Sequence, residues 1–235
     1  MIKLIAASTS TLHGGGFLEY LIPHLEKHFE SITNLLFIPY ARPGGISHEA
    51  YTGIVSKALE NLPFSVRGIH EFDDPMEAIS NAEAVYVGGG NTFVLMEQLI
   101  SKGLIHLIKN KVEAGMPYLG TSAGTNIVGP SVKTTNDMPI VHPESLDALG
   151  VIPFNINPHY LDPDPDSTHK GETRETRIKE FHAYNDTMVI GLREGSWIEV
   201  NGTEFVLKGS LTARVFKKNV APFEISEGTC LNQIF

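Results

Sequence analysis

The chain has 235 residues, enough for one large domain with a sizeable core. Its net charge of −9 argues against a nucleic-acid partner, and its single cysteine, Cys230, excludes an internal disulfide. Mean hydropathy is −0.03 and no apolar run approaches the length of a membrane span, so composition describes a soluble, cytoplasmic protein.

The run from Ile2 to Ala7 is too short for a signal peptide and reads as a first buried strand. Phe17, Leu18, Leu21, Ile22 and Leu25 share one face of a helix expected over residues 16–29. Leu35-Leu36-Phe37-Ile38 is a second buried strand. Pro43-Gly44-Gly45 then breaks the chain. Ser47 is placed to cap a helix whose apolar face is Ile54, Val55, Ala58, Leu59 and Leu62. A strand over residues 64–69 precedes a short helix opened by Asp74-Pro75. Residues 82–87 form a fourth strand that runs into Gly88-Gly89-Gly90-Asn91-Thr92. A helical stretch over 93–114, broken at Gly103, leads to the strand Met116-Pro117-Tyr118-Leu119.

Beyond residue 130 the pattern loosens. Residues 133–139 read as a polar loop, 151–156 as a strand, and 172–183 as a helix with Ile178 and Phe181 inward. Four short strands are expected at 188–192, 197–200, 203–207 and 213–216. The sum is a single α/β domain over residues 1–235. It has a mostly parallel sheet, helices on both faces and a β-rich, antiparallel C-terminal extension. Ligand sites in such sheets gather at the carboxyl ends of the strands, where the 88–92 loop and the segment after Leu119 both lie.

That segment is Gly120-Thr121-Ser122-Ala123-Gly124, a Gly-x-Ser-x-Gly turn between a strand and a helix. Such a turn leaves the Ser122 hydroxyl on its crest as a nucleophile, with the Ala123 N–H beside it as an oxyanion donor. Gly90 in the triple-glycine loop is the second candidate donor. A dinucleotide-binding fingerprint would need glycine where Phe93 stands, and no phosphate-loop lysine follows. His159, after a predicted strand and Pro158, is the candidate base, with His142 and His169 as weaker rivals. Asp137 and Glu194 are alternative orienting acids, and Glu194 is favoured because it follows a strand end. No pair of histidines has metal-ligand spacing, so neither a metal nor another cofactor is expected.

Five motifs in order carry a resemblance over nearly the whole chain. They are Gly88 to Thr92, Gly120 to Gly124, Thr134-Thr135-Asn136-Asp137-Met138-Pro139-Ile140, Asn157-Pro158-His159 and His169-Lys170-Gly171-Glu172-Thr173-Arg174. Together they resemble the peptidase E family of α-aspartyl dipeptidases. The resemblance implies a fold similar to class I glutamine amidotransferase domains and hydrolysis of dipeptides with an N-terminal aspartate. It implies Ser122 as nucleophile, His159 as base, Asp137 or Glu194 as third member, and Arg174 as the residue that binds the substrate aspartate. Thr121 departs from the Trp of some members, which would alter the wall of the substrate pocket. The alternatives are a cyanophycinase-like aspartyl peptidase and a non-catalytic small-molecule binding protein on the same scaffold. The expected partner is a small peptide, with neither nucleic acid nor membrane; oligomeric state is open.

Overall fold

The computed structural model describes residues 1–164, 166, 168 and 171–235. Five short apolar strands make the parallel centre of the main sheet: β1 (Lys3–Ala7), β2 (Asn34–Ile38), β3 (Ser65–Gly68), β4 (Ala84–Val87) and β5 (Tyr118–Thr121). Two more, β8 (Ser196–Asn201) and β9 (Glu204–Gly209), add an antiparallel hairpin beside β1. The order is β3-β2-β4-β5-β1-β8-β9. Side chains alternate across the sheet, as a period of two requires. Leu4 and Ala6 enter one apolar core, and Ile5 and Ala7 enter the core on the opposite face.

The helices that cover those faces begin where the sequence offers caps. Helix α2 (His48–Ala58) starts at Ser47, whose hydroxyl accepts from the Ala50 N–H at 3.1 Å. Helix α3 (Pro75–Ser80) starts at Asp74, which accepts from the Met76 N–H at 2.8 Å. The long helical stretch divides at Gly103, whose φ of 69° only glycine adopts freely, giving α4 (Thr92–Ser101) and α5 (Leu104–Glu113). The helix α1 (Ile22–His28) is shorter than its apolar spacing suggests. Leu18 takes a φ of 58° and gives its N–H to Ser10. Residues 16–21 therefore turn instead of coiling, although Leu18 and Leu21 are fully buried. On α2, Ile54 is exposed while its neighbours Tyr51 and Val55 are buried.

The C-terminal part adds the expected further strands, which pair antiparallel with one another and divide between two sheets. The strands β6 (Asn155–Pro158), β7 (Val189–Leu192), β10 (Ala213–Phe216) and β11 (Phe223–Ile225) build a second sheet in the order β11-β10-β7-β6. The pair β6 and β7 is parallel, and β7, β10 and β11 are antiparallel neighbours. Helix α7 (Arg174–Tyr184) lies against this sheet through Ile178 and Phe181. One continuous apolar core contains Leu4, Val87 and Ile127 together with Ile156, Ile190 and Val215, so the two sheets share an interior. The predicted strand at 151–156 is displaced to 155–158. Residues Val151 and Ile152 instead donate their N–H groups to the Val128 carbonyl, just beyond the short helix α6 (Ala123–Asn126). No helix among the described residues is long and apolar enough to cross a membrane.

One buried group gives the fold a measurable acid sensitivity. His28, in the last turn of α1, donates from Nε2 to the Tyr118 carbonyl at 3.1 Å. Burial, reinforced by Lys3, lowers its pKa from 6.5 to about 3 against the opposing pull of that carbonyl. The unfolded chain takes up this proton near its ordinary pKa while the folded chain refuses it. Stability is therefore lost as pH falls from the unfolded toward the folded value, with a slope approaching about 1.4 kcal/mol per pH unit. Urea unfolding of His28→Gln should show a slope smaller by about one proton over that window. An unchanged slope would assign the acid sensitivity to other groups.

Candidate active site

Strand β5 ends directly beneath Ser122. The Ser122 backbone has φ 53° and ψ −109°, a conformation that costs about 1–3 kcal/mol for a residue with a side chain. The surrounding packing enforces it. A Cβ on Gly120 would run into the Gly124 carbonyl, and one on Gly124 into the Val87 carbonyl, so chain passes over chain with no room between. The Thr125 hydroxyl lies within hydrogen-bonding reach of two carbonyls, Ala7 at 2.6 Å and Gly120 at 2.9 Å. The Tyr118 hydroxyl donates to Gly124 at 2.7 Å. These bonds seal the underside of the turn and leave the Ser122 side chain partly exposed.

The partners of Ser122 come from the second sheet. His159 follows β6 and brings Nε2 to 2.9 Å from Ser122 Oγ. Its Nδ1 is 2.6 Å from Glu194 Oε1, and Glu194 stands two residues beyond β7. Because β6 and β7 are parallel neighbours, their carboxyl ends deliver the imidazole and the carboxylate side by side. A carboxylate on Nδ1 fixes the tautomer with its proton there, leaving Nε2 free to accept the Ser122 proton. His159 also has a positive φ, 53°. Its backbone is tied down by the Ser8 hydroxyl, which accepts from the His159 N–H at 2.9 Å and donates to the Leu192 carbonyl at 2.8 Å. Of the rival bases, His142 is exposed and makes no hydrogen bond among the described residues, and His169 lies outside them.

Two backbone donors lie in the turns that follow β5 and β4. Ala123 N–H opens α6, and Gly90 N–H belongs to the loop after β4; neither has an acceptor among the described residues. Gly90 has a φ of 145°, and a Cβ there would collide with the Ala41 carbonyl. A Cβ on the preceding Gly89 would stand 3.0 Å from the Ser122 Cβ, so this loop lies against Ser122.

Asp137 is held elsewhere. Its Oδ2 accepts the Thr92 N–H at 2.7 Å and meets the Thr135 hydroxyl at 3.1 Å, at the first turn of α4. Arg174 opens α7 and is half-buried. Burial and the neighbouring Arg177 lower the pKa of its guanidinium, while Asp137 pulls it back up, which places Arg174 in the field of that carboxylate. Glu175 does not pair with Arg174. It binds Lys179 at 2.6 Å and Arg214 at 3.0 Å instead. Thr121 does not line a pocket: it is fully buried and its hydroxyl is 3.0 Å from that of Tyr86, within the sheet.

Sequence reasoning did not pick out Ser8, Thr125 or Tyr118, whose hydroxyls position the site through backbone groups. Ser8 had a signal, as a polar residue just past the carboxyl end of a buried strand. The geometry carries the expectation that Glu194→Gln lowers kcat by roughly 10²–10⁴-fold and slows labelling of Ser122 by a small serine-directed phosphonate. Asp137→Asn should leave that labelling rate near wild type, since Asp137 does not touch His159. The reverse pattern would make Asp137 the orienting acid.

Known proteins resemble this chain along most of its length. Residues 4–208 match Peptidase family S51. A peptidase E from Streptomyces coelicolor is 48% identical over 233 residues, covering 99% of this chain and 95% of the relative. A Drosophila melanogaster protein named a probable alpha-aspartyl dipeptidase is 45% identical, covering 95% and 93% respectively. Among solved structures, a peptidase from an acI-B1 Actinobacterium superposes with a TM-score of 0.72 over 98% of this chain and 96% of its own, at 18% identity. A peptidase E candidate from Listeria monocytogenes gives a TM-score of 0.65 at 25% identity, over 89% of this chain and 98% of its own. The chain belongs to Peptidase family S51.

Proposed function

We propose that this protein is a serine-type dipeptidase that hydrolyses dipeptides with an N-terminal aspartate. The observation that carries the reading is the unbroken chain of hydrogen bonds Ser122–His159–Glu194 above a strained turn. In this reading Ser122 Oγ attacks the peptide carbonyl carbon as His159 Nε2 takes its proton. The carbonyl oxygen gains negative charge and receives the N–H groups of Gly90 and Ala123. His159 then gives the proton to the departing amine, and the carbon–nitrogen bond breaks. Water attacks the remaining ester with His159 again as base, which releases aspartate and restores Ser122. Glu194 holds the imidazole and stabilises its charged form.

Two charges near the site divide the recognition of the aspartyl residue. Arg174 offers a planar fork that matches a short carboxylate in charge and geometry. Asp137 uses one oxygen to hold Thr92 and Thr135, and its second oxygen has no hydrogen bond among the described residues. That second oxygen suits the free α-ammonium that every dipeptide presents.

Ser122→Ala should lose activity by roughly 10⁴-fold or more with the fold intact, since one hydroxyl does not hold the turn. Survival of more than about a hundredth of wild-type kcat would remove the serine mechanism. Specificity is tested separately with Asp-Leu, Asn-Leu and Glu-Leu. Wild type should prefer Asp-Leu over Asn-Leu by on the order of 10³-fold in kcat/KM, because an uncharged analogue leaves a half-buried guanidinium unpaired. Arg174→Ala should lose most of that preference. If the variant still discriminates as wild type does, another residue reads the aspartate.

A further inference from the structure

We infer that Tyr51, assisted by Arg42, is a positioning residue that aims the oxyanion donor Gly90. The inference rests on the serine-peptidase reading and extends it to residues that never touch substrate. Gly89 C=O and Gly90 N–H belong to one peptide unit. That unit is trans, so the two groups point in opposite directions. Whatever fixes the carbonyl therefore fixes the direction of the N–H.

The Gly89 carbonyl accepts from the Tyr51 hydroxyl at 3.3 Å and from Arg42 Nε at 3.4 Å. The same hydroxyl accepts the Gly89 N–H at 3.1 Å. One oxygen thus grips Gly89 by both of its backbone groups. Tyr51 can do this because it is itself immobile. It is 1% exposed, lies edge-on to Phe37 at 4.9 Å, and carries the Arg42 guanidinium over its ring at 4.5 Å. The approach needs a missing side chain as well: a Cβ on Gly88 would stand 2.7 Å from the Tyr51 hydroxyl. A loop of three glycines has many backbone conformations open to it, and a peptide plane between two of them flips at little steric cost. Without an anchor the Gly90 N–H would spend part of its time turned away from the developing oxyanion. Donors to the carbonyl also polarise the peptide unit and strengthen its N–H as a donor.

An anchor of this kind acts on the transition state and not on ground-state binding, so its loss should appear in kcat and not in KM. Tyr51→Phe keeps the ring and removes the grip. Its kcat for Asp-Leu should fall roughly 10- to 100-fold with KM within about twofold of wild type, less than the loss of a whole oxyanion donor. An aldehyde analogue of aspartate gives a second readout. Ser122 adds to its carbonyl carbon, the serine proton passes to His159, and the former carbonyl oxygen lies where the oxyanion forms. Tyr51→Phe should weaken inhibition by this aldehyde by the same factor as kcat, while inhibition by the product aspartate stays at the wild-type level. Arg42→Met, at an exposed position, should lower both quantities roughly three- to tenfold. Wild-type kcat in these variants overturns the inference, as does a parallel loss of kcat, KM and aspartate affinity. Should Tyr51→Phe fail to fold, Arg42→Met decides alone. Wild-type protein that neither cleaves Asp-Leu nor reacts with the phosphonate overturns the underlying reading instead, and this inference with it.

Discussion

One hydroxyl group holds the two halves of the site in register. Ser8 stands just past the end of β1 in the main sheet, and it accepts from His159 and donates to Leu192 in the second sheet. Ser122 follows a strand of the first sheet, and His159 and Glu194 follow strands of the second. The 2.9 Å separation of Ser122 and His159 is therefore a distance between sheets, set by how their ends are docked. A continuous apolar core brings those ends near each other, but apolar packing is not directional. A hydrogen bond with its donor and acceptor both spoken for defines position to a few tenths of an ångström. Ser8 supplies that at a buried point on the backbone of His159 itself.

The two residues at the site that carry side chains and have positive φ, Ser122 and His159, are the two that exchange a proton in the proposed mechanism. Neither is glycine, so each conformation is maintained against a steric cost by its surroundings. At Ser122 the surroundings are Tyr118, Thr125 and the close crossing of Gly120 and Gly124. At His159 they are Ser8 below and the Tyr160 N–H, which bonds to Leu192. Between them the two backbones bring His159 Nε2 to 2.9 Å from Ser122 Oγ.

The parallel half of the fold was legible because it is written in short-range terms. Apolar runs such as Leu35 to Ile38 mark buried strands, and Ser47, Asp74 and Gly103 mark helix ends through local chemistry. The elbow was legible for the same reason, since Gly120, Ser122 and Gly124 impose their geometry within five residues. Long-range outcomes were not legible. The apolar stretch Val151 to Phe154 satisfies its first N–H groups on Val128 instead of a neighbouring strand, and no periodicity reports that choice. The split of the C-terminal strands between two sheets depends on β8 finding β1 across nearly the full chain. Which of Asp137 and Glu194 contacts His159 also needed the docked sheets. Both are acids near a loop, and only the pairing of β6 with β7 distinguishes them.

The division of labour between those acids follows from what surrounds each one. Glu194 is exposed, so its pairing with His159 needs a backbone that holds it in place. The adjacent Arg193 provides it. Its guanidinium grips Asp162 at 2.8 Å, three residues beyond His159, and Glu224 of β11 at 2.9 Å. Burial opposes charge on Glu224, but bonds from Arg193, Thr212 and Arg214 outweigh it and hold its pKa down at about 2. The anchor is thus a charged one, and it ties the segment carrying His159 to the segment carrying Glu194. Asp137 has no such link to His159. It is bound to the first turn of α4, where a carboxylate is favoured by the helix dipole and by the free N–H of Thr92. An acid stabilised there gains little by serving an imidazole on another sheet. Its charge acts instead on the half-buried guanidinium of Arg174, which opens α7.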